Sequence, residues 1–254
     1  MSHGVPSLVA VGLLLLSYSS AFAEQVGTCG MVVSDGVLTS DLDCSANPYG
    51  VSVRHRGLLD LAGHTLIPGQ LAGVACERDC TIVGNGGAIR DGAQWGIIDR
   101  ERRSRVAISG VTISGNGSYG VAAGGKITVT DSEISGNNYG IGFDGSPKKV
   151  SISRSRLIGN RGSGISALFA RVDISDSEIS GNGINGVQAH KVFATSSVIV
   201  NNGGDDHCLT FPLECVDLAS AAHPSLFSVT CDTSADLTSD AGFTEDNWGV
   251  CTLD

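Results

Sequence analysis

The sequence has few aromatic and few charged residues, and what it lacks narrows the possible folds. Aromatic residues make up 5% of the 254 residues and charged residues 17%. A hydrophobic share of 41% is too high, and a net charge of −10 too modest, for a disordered chain. The 35 glycines follow no three-residue period, which excludes collagen. Beyond the amino-terminal segment, no apolar run approaches the length of a membrane span.

The amino terminus predicts a secretory signal. Residues 8–16 form a short apolar run, and residues 21–23, Ala-Phe-Ala, form a small-residue cleavage site. The segment departs from the usual pattern because no Lys or Arg precedes the apolar run. An uncleaved membrane helix is the alternative, but the run is too short for one. We therefore expect a signal peptide at 1–23, cleavage near Ala23, and a secreted chain, either extracellular or periplasmic.

The charge of the chain is concentrated at one end. Residues 24–203 carry 16 acidic and 16 basic side chains, whereas residues 204–254 carry ten Asp or Glu and no Lys or Arg. An acidic segment of this kind repels nucleic acid and anionic lipid. We expect no nucleic-acid partner and no membrane span. Calcium capture by Asp205 and Asp206 stays open as an alternative to a solvated surface.

An internal repeat dominates the sequence. Five segments of 11 residues align without gaps, and their starts lie 21, 23, 22 and 20 residues apart. A period of this length indicates a solenoid. The segments begin at Val106, Ile127, Val150, Val172 and Val192. A second signal, Gly followed by Val or Ile, recurs in phase at Gly50, Gly73, Gly96, Gly120, Gly140, Gly164 and Gly186.

The pattern within each repeat favours strands. Apolar residues fall at positions 1, 3 and 8, and Gly, Ser and Asn separate two short alternating runs. No helical spacing survives these interruptions, and the frame of leucine-rich repeats is missing. We predict an all-β parallel β-helix of about eight turns over 37–203, with caps at 24–36 and 204–254. Stacked laps would place Ile108, Val129 and Ile152 in one buried column, and Asn at position 11 would form a ladder of scaffold side chains.

The repeat resembles that of right-handed parallel β-helix proteins, the pectate-lyase-like superfamily. Cys29-Gly30, Leu42-Asp43-Cys44 and residues 59–65 (LDLAGHT) resemble the first coils of secreted bacterial members of uncharacterised function. Residues 215–220 (CVDLAS), 230–234 (TCDTS) and 248–251 (WGVC) resemble their ending. The resemblance implies a right-handed helix that binds saccharides along the outside of one sheet. It implies no single activity, because the superfamily includes lyases, hydrolases, epimerases, adhesins and non-enzymes.

The cysteines are interpreted as disulfides of the caps. All eight follow the predicted cleavage site, and an even number in an exported chain favours disulfides over metal binding. The paired C-x₂-C ligand set of a zinc site is absent, and we expect no metal site. Sequence alone does not fix the pairing. The pairs we expect are Cys29 with Cys44, Cys76 with Cys80, Cys208 with Cys215, and Cys231 with Cys251.

Candidate binding residues lie on the Gly-Val/Ile strand and on a short insertion at 99–105. Side chains alternate along that strand, which predicts that Arg54, Glu77, Arg100, Asp144 and His190 point outward. The insertion adds further arginines, which bind carboxylates bidentately. The alternative is a solvated charged turn with local Glu–Arg pairs. The predicted ligand-binding residues are Arg54, Glu77, Arg78, Arg100, Arg102, Arg103, Asp144 and His190.

Known catalytic patterns are mostly missing from the sequence. The Asp-Pro-His trio implied by a resemblance to alginate epimerases and lyases is absent, as is the Gly-His-Gly of polygalacturonase-like sites. Asp144 and Arg100 are expected about two laps, or roughly 10 Å, apart. We expect a non-catalytic protein without cofactor that binds acidic polysaccharide or a cell-surface glycan. A polysaccharide lyase or epimerase, with calcium in the lyase, is the alternative, and a row of Ser and Thr at position 4 leaves ice binding as a weaker one.

Overall fold

The computed structural model describes residues 23–142 and 147–203, and beyond them the backbone of three short strands at 218–219, 228–231 and 236–237. Every regular element in these residues is a strand, and every strand pairing is parallel. The prediction of an all-β solenoid is therefore confirmed. The signal peptide, its cleavage and the acidic cap fall on residues that lie mostly or wholly outside the described ones, and they stay predictions.

Each lap of the chain contributes one strand to each of three faces. The first face contains β6 (Ala72–Cys76), β9 (Trp95–Asp99), β12 (Tyr119–Ala123), β15 (Tyr139–Gly142), β22 (Leu218–Ala219) and the first parts of β2 (Met31–Leu38), β4 (Tyr49–Asp60), β18 (Ile165–Ser175) and β20 (Val187–Thr195). The second face contains the later parts of those four long strands with β1 (Glu24–Val26), β7 (Cys80–Val83), β10 (Arg105–Ser109), β13 (Lys126–Thr130), β16 (Lys149–Ser153) and β23 (Ser228–Cys231). The third face contains β3 (Leu42–Asp43), β5 (Thr65–Ile67), β8 (Ala88–Arg90), β11 (Thr112–Ser114), β14 (Glu133–Ser135), β17 (Arg156–Ile158), β19 (Glu178–Ser180), β21 (Val198–Val200) and β24 (Asp236–Leu237).

Like residues lie over like residues from lap to lap. Ile108 pairs with Val129, Val129 with Ile152, and Ile152 with Ile174. All four are at most 2% exposed, so the predicted aliphatic column is the core. About seven full turns stack between Tyr49 and Val200. The predicted number of about eight included the pass over 31–43, whose third strand has only two residues.

The predicted Asn ladder lines the inside of the bend after the third face. The side-chain oxygen of Asn160 accepts hydrogen bonds from the backbone N–H of Asn137 at 3.0 Å and from its Nδ2 at 3.1 Å. The Nδ2 of Asn160 donates in turn to Asn182 Oδ1 at 2.9 Å. These side chains are at most 1% exposed and satisfy buried backbone groups, which is a scaffold role.

Two of the predicted disulfides are present, but they cross-link residues within the coil and are not clearly part of terminal caps. Cys29 bonds to Cys44 across the first lap, and Cys76 bonds to Cys80 between β6 and β7. Cys80 fills the core position that Val106 fills one lap later, so this bridge belongs to the body of the repeat. The other two pairs lie outside the described residues, except for the backbone of Cys231.

The predicted amino-terminal cap is already part of the sheet. Strand β1 pairs with residues 36–38, and Met31 at the start of β2 pairs with Val51. Repeating structure therefore begins before residue 37. The described residues contain no helix of the length and apolarity that crossing a membrane requires.

Candidate functional site

The outward positions of the first face were predicted in the correct phase. Val53 is fully buried and faces the core, whereas Arg54 lies exposed at the next position. Glu77 and Arg100 are also exposed, each directly after the last residue of its first-face strand. The three side chains lie at equivalent positions on successive laps, because residues 53, 76 and 99 pair in register.

The corner between the first and second faces gathers arginines from three laps. One open groove of about 600 Å³ is lined by Arg56, Arg78, Arg103 and Arg105, together with Asp79. Arg56 and Arg78 have positive φ angles of 60° and 79°. This conformation also occurs at turns of other laps, among them Asp131, Arg154 and Asp176, so it is a feature of the turns and does not by itself mark a site.

A second groove of about 210 Å³ continues along the same corner. Arg102, Arg103 and Arg105 line it together with Lys126 and Lys148. Within residues 23–142 and 147–203, no carboxylate oxygen lies within 4.0 Å of the guanidinium groups at 100–105. The described structure therefore lacks the local Glu–Arg pairs that a purely solvated turn would use.

A third groove runs over the first face itself. Tyr49, Glu77, Arg78, Arg100 and Glu101 contribute to its walls, and its volume is about 360 Å³. The Arg100 guanidinium lies 5.7 Å from the centroid of the Trp95 ring, a cation–π distance that orients the charge over the sheet. Glu77 and Arg78 from one lap and Arg100 from the next, all predicted as binding residues, are thus brought together here.

An aromatic column that was not predicted from the sequence lies beside this groove. Tyr49 and Trp95 share one register column through Ala72, and Tyr119 pairs with Tyr139 on the following laps. The rings of Tyr119 and Tyr139 stack with centroids 5.0 Å apart. Each of the four aromatics directly precedes the repeated Gly, so the signal was available one residue before the Gly-Val/Ile motif.

Comparison with known proteins supports the same architecture. A family model described as a right-handed β-helix region matches residues 33–202, which is more than half of the chain. The chain belongs to the right-handed β-helix family. No curated protein and no solved structure matches it. Membership of the right-handed β-helix family establishes the fold and its handedness. It does not establish an activity, because activity depends on the residues of the site.

Two of the predicted binding residues, Arg54 and His190, line none of these three grooves of the right-handed β-helix. His190 is half-buried on β20, four laps after Arg100, which corresponds to roughly 19 Å along the axis. Arg54 lies on β4, on the same lap as Arg56, but only Arg56 lines a groove. Asp144 lies outside the described residues, so its expected separation from Arg100 stays a prediction.

A buried carboxyl group supports the arginine insertion of the β-helix. Asp99 is fully buried and occupies the core position that Cys76 and Ala123 occupy on neighbouring laps. Its Oδ1 accepts a hydrogen bond from the Glu101 backbone N–H at 2.8 Å, and Ser104 Oγ donates to the Glu101 carbonyl at 2.7 Å. Burial raises the pKa of Asp99, and the hydrogen bond from the Glu101 backbone opposes that rise.

The part of the β-helix that the structure describes contains no group of three or more His, Cys, Asp or Glu side chains able to hold a metal ion. Among these residues, the chemistry of the candidate site is therefore that of guanidinium, ammonium, carboxylate and aromatic groups. Guanidinium groups suit the recognition of carboxylates and sulfates, because their fork of N–H donors matches two acceptor oxygens.

Proposed function

We propose that this β-helix protein is secreted and binds an acidic polysaccharide, free or on a cell surface, without changing it chemically. The ligand lies on the arginine patch, defined as Arg56, Arg78, Arg100, Arg102, Arg103 and Arg105. The observation that carries the proposal is the groove in which four of these guanidinium groups line one open surface with a single carboxylate.

The shape of the patch favours a long ligand over a small one. Small-molecule sites are enclosed and mostly apolar, whereas these grooves are open, shallow and charged. The aromatic column lies beside the patch and offers ring edges and faces against which the C–H groups of a sugar can pack. An acidic polysaccharide can be bound by cations that contact its acidic groups and by neighbouring aromatic side chains that contact its sugar rings.

Retention on immobilised polyanions tests the proposal. The mature chain from Glu24 is applied at low salt to pectate, alginate and glycosaminoglycan resins and eluted with a salt gradient. We expect retention on at least one resin, and elution of R102Q/R103Q at lower salt. The control R90Q/R161Q removes two exposed cations away from the patch and should elute like the unmodified protein. The absence of retention on every resin at low salt would reject the proposal.

The alternative expectation of a lyase is measured on the same polymers. Absorbance of the unsaturated uronide product, followed with calcium present, reports cleavage directly. NMR of the recovered polymer reports epimerisation. We expect neither product, since the proposed role is binding alone, and the appearance of either one would replace it with catalysis.

A further inference from the structure

We infer that the second face holds a linear acidic glycan parallel to the solenoid axis, on a ladder of five cations. This inference rests on the proposed function and names the surface, the direction and the charge spacing of the ligand. The cation ladder consists of Arg105, Lys126, Lys149, Arg171 and Lys191.

The five cations occupy one register position on five successive laps. Arg105 pairs with Lys126, Lys126 with Lys149, Lys149 with Arg171, and Arg171 with Lys191. Four of them are exposed and Lys149 is half-buried. Adjacent strands lie about 4.8 Å apart, so the ladder extends over about 19 Å. In the sequence, each cation directly precedes one of the five gapless segments.

Folding alone does not explain this ladder, because like charges directly opposite each other on neighbouring strands are destabilising. The third face shows the arrangement that stabilises. There Glu133, Arg156 and Glu178 alternate in sign, and Arg156 contacts the two carboxylates at 3.1 and 3.0 Å. The same chain therefore alternates charge on one face and repeats it on another.

One carboxylate partly compensates the ladder. Asp173 contacts Lys149 and Arg171, each at 2.7 Å. Among the described residues, Arg105, Lys126 and Lys191 form no ion pair within 4.0 Å. Three of the five cations thus remain available to an external anion. Exposed cations repeated in this way match an anion whose charges repeat at a similar spacing.

The neighbouring columns of the second face favour a sugar over other polyanions. Thr128 and Ser151 pair in register two residues after the cations, about 6.6 Å along the strands, and Ala107, Asp173 and Phe193 occupy this position on the other laps. A further column of hydroxyls follows at Ser109, Thr130, Ser153, Ser175 and Thr195. Hydroxyl side chains both donate and accept hydrogen bonds, as sugar hydroxyls do. A chain with acidic groups on one edge and hydroxyls on the other matches this surface.

The ladder is continuous with the arginine patch. Arg105 belongs to both, and Lys126 lines the same groove as Arg102 and Arg103. The rung spacing is comparable with the length of one pyranose residue, so the ligand that fits carries about one anionic group per sugar. The geometry thus selects linear uronates or similarly charged glycans, with one end of the bound chain on the patch.

Charge removal on the ladder tests the inference. Binding of a uronate decamer is measured by calorimetry for the unmodified chain, K126Q/K191Q, R102Q/R103Q and the control R90Q/R161Q. We expect K126Q/K191Q to bind about three- to tenfold more weakly, with a shallower dependence on salt, while the control is unchanged. The melting temperature of K126Q/K191Q should equal or exceed that of the unmodified chain, because the repulsion between neighbouring cations of the ladder is removed.

Ligand length provides a second and independent measurement. Uronate oligomers of two to ten residues are titrated against the unmodified chain. Affinity should rise steeply up to about five residues, when all rungs are engaged, and only slowly beyond that length. An affinity that is already maximal for a disaccharide would overturn the ladder and indicate a local pocket. Equal affinity for a single-stranded DNA of matched charge would overturn the assignment to a glycan.

The outcomes separate this inference from the proposed function. Loss of binding in R102Q/R103Q, with K126Q/K191Q equal to the control, would leave the patch as the binding surface and overturn the ladder. Failure of the unmodified chain to bind any acidic glycan would overturn both. Weaker binding in K126Q/K191Q together with the predicted length dependence would support the ladder.

Discussion

At the scale of single residues, Asp99 carries a testable consequence of burial. A buried acid whose pKa is raised holds its proton more tightly in the folded chain than in the unfolded one. Its favourable contribution is therefore complete below the ordinary value of 3.8 and is lost as the pH rises through the folded pKa. Above the folded pKa the ionised carboxylate, with Oδ2 unpartnered among the described residues, destabilises the fold.

We predict that Asp99→Asn raises the free energy of unfolding at pH 7 by about 1 kcal/mol. The amide oxygen can still accept from the Glu101 N–H, while the buried charge is gone. The gain should shrink as the pH falls towards 4. Urea unfolding should measure the difference in the free energy of unfolding between the variant and the unmodified chain. Both proteins become less stable in acid for a separate reason, because Asp131 and Asp173 have lowered pKa values in the folded state. Glu77→Gln, at an exposed carboxylate, should show no comparable gain, and a less stable Asp99→Asn at pH 7 would contradict the prediction.

Sequence patterns predicted some residue environments better than others. Asn160 could be placed correctly because Asn recurs at position 11 of every segment. Burial of Asp99 could not be predicted from composition, since it belongs to an insertion rich in charge that interrupts the repeat. Its environment depends on the lap below, where the Cys76–Cys80 bridge fills the core.

At the scale of elements, the buried Asn ladder stabilises the bend after the third face, and this role can be tested directly. Asn160→Ala removes the acceptor of the buried Asn137 N–H and the donor to Asn182 Oδ1. Each buried group left unpaired costs about 1–3 kcal/mol. We predict a loss of about 3 kcal/mol in the free energy of unfolding, measured by urea denaturation.

The matched control lies one residue beyond the ladder. Asn138 is half-exposed, and its backbone alone continues the pairing between laps. Asn138→Ala should therefore change the free energy of unfolding by less than about 0.5 kcal/mol. Equal losses in the two variants would show that the ladder side chains contribute no more than ordinary surface amides.

Two columns escaped prediction for a common physical reason. The Asn column repeats one residue type, whereas the cation ladder mixes Arg with Lys, and the aromatic column mixes Tyr with Trp. An outward position selects for a chemical property, because no neighbouring wall fixes the shape of the side chain. An inward position selects for one shape. Aligning by property at the residue before each segment would have found the ladder at Arg105 and Lys126.

At the scale of the whole molecule, a solenoid behaves nearly as a one-dimensional stack in which each lap contacts only its neighbours. Arg156 and Glu178 occupy the same register position on consecutive laps. Deleting residues 156–177 therefore joins Ser155 to Glu178 and reproduces the native sequence of faces one lap shorter. The two disulfides lie laps away from the junction and are unaffected.

We predict that this shortened chain folds and unfolds cooperatively, with a free energy of unfolding lower by about 1–3 kcal/mol, the share of the residues removed. Thermal unfolding followed by circular dichroism measures the loss. Deleting only residues 156–166 makes a smaller change in length but joins Ser155 to Ala167, so that the rest of β18, which belongs mainly to the second face, lies where a third-face strand should be. Its inward and outward positions then conflict with both neighbouring laps, and this second variant should show no cooperative transition. A half-lap deletion that folds as well as the full-lap deletion would mean that stacking in register does not hold the chain together.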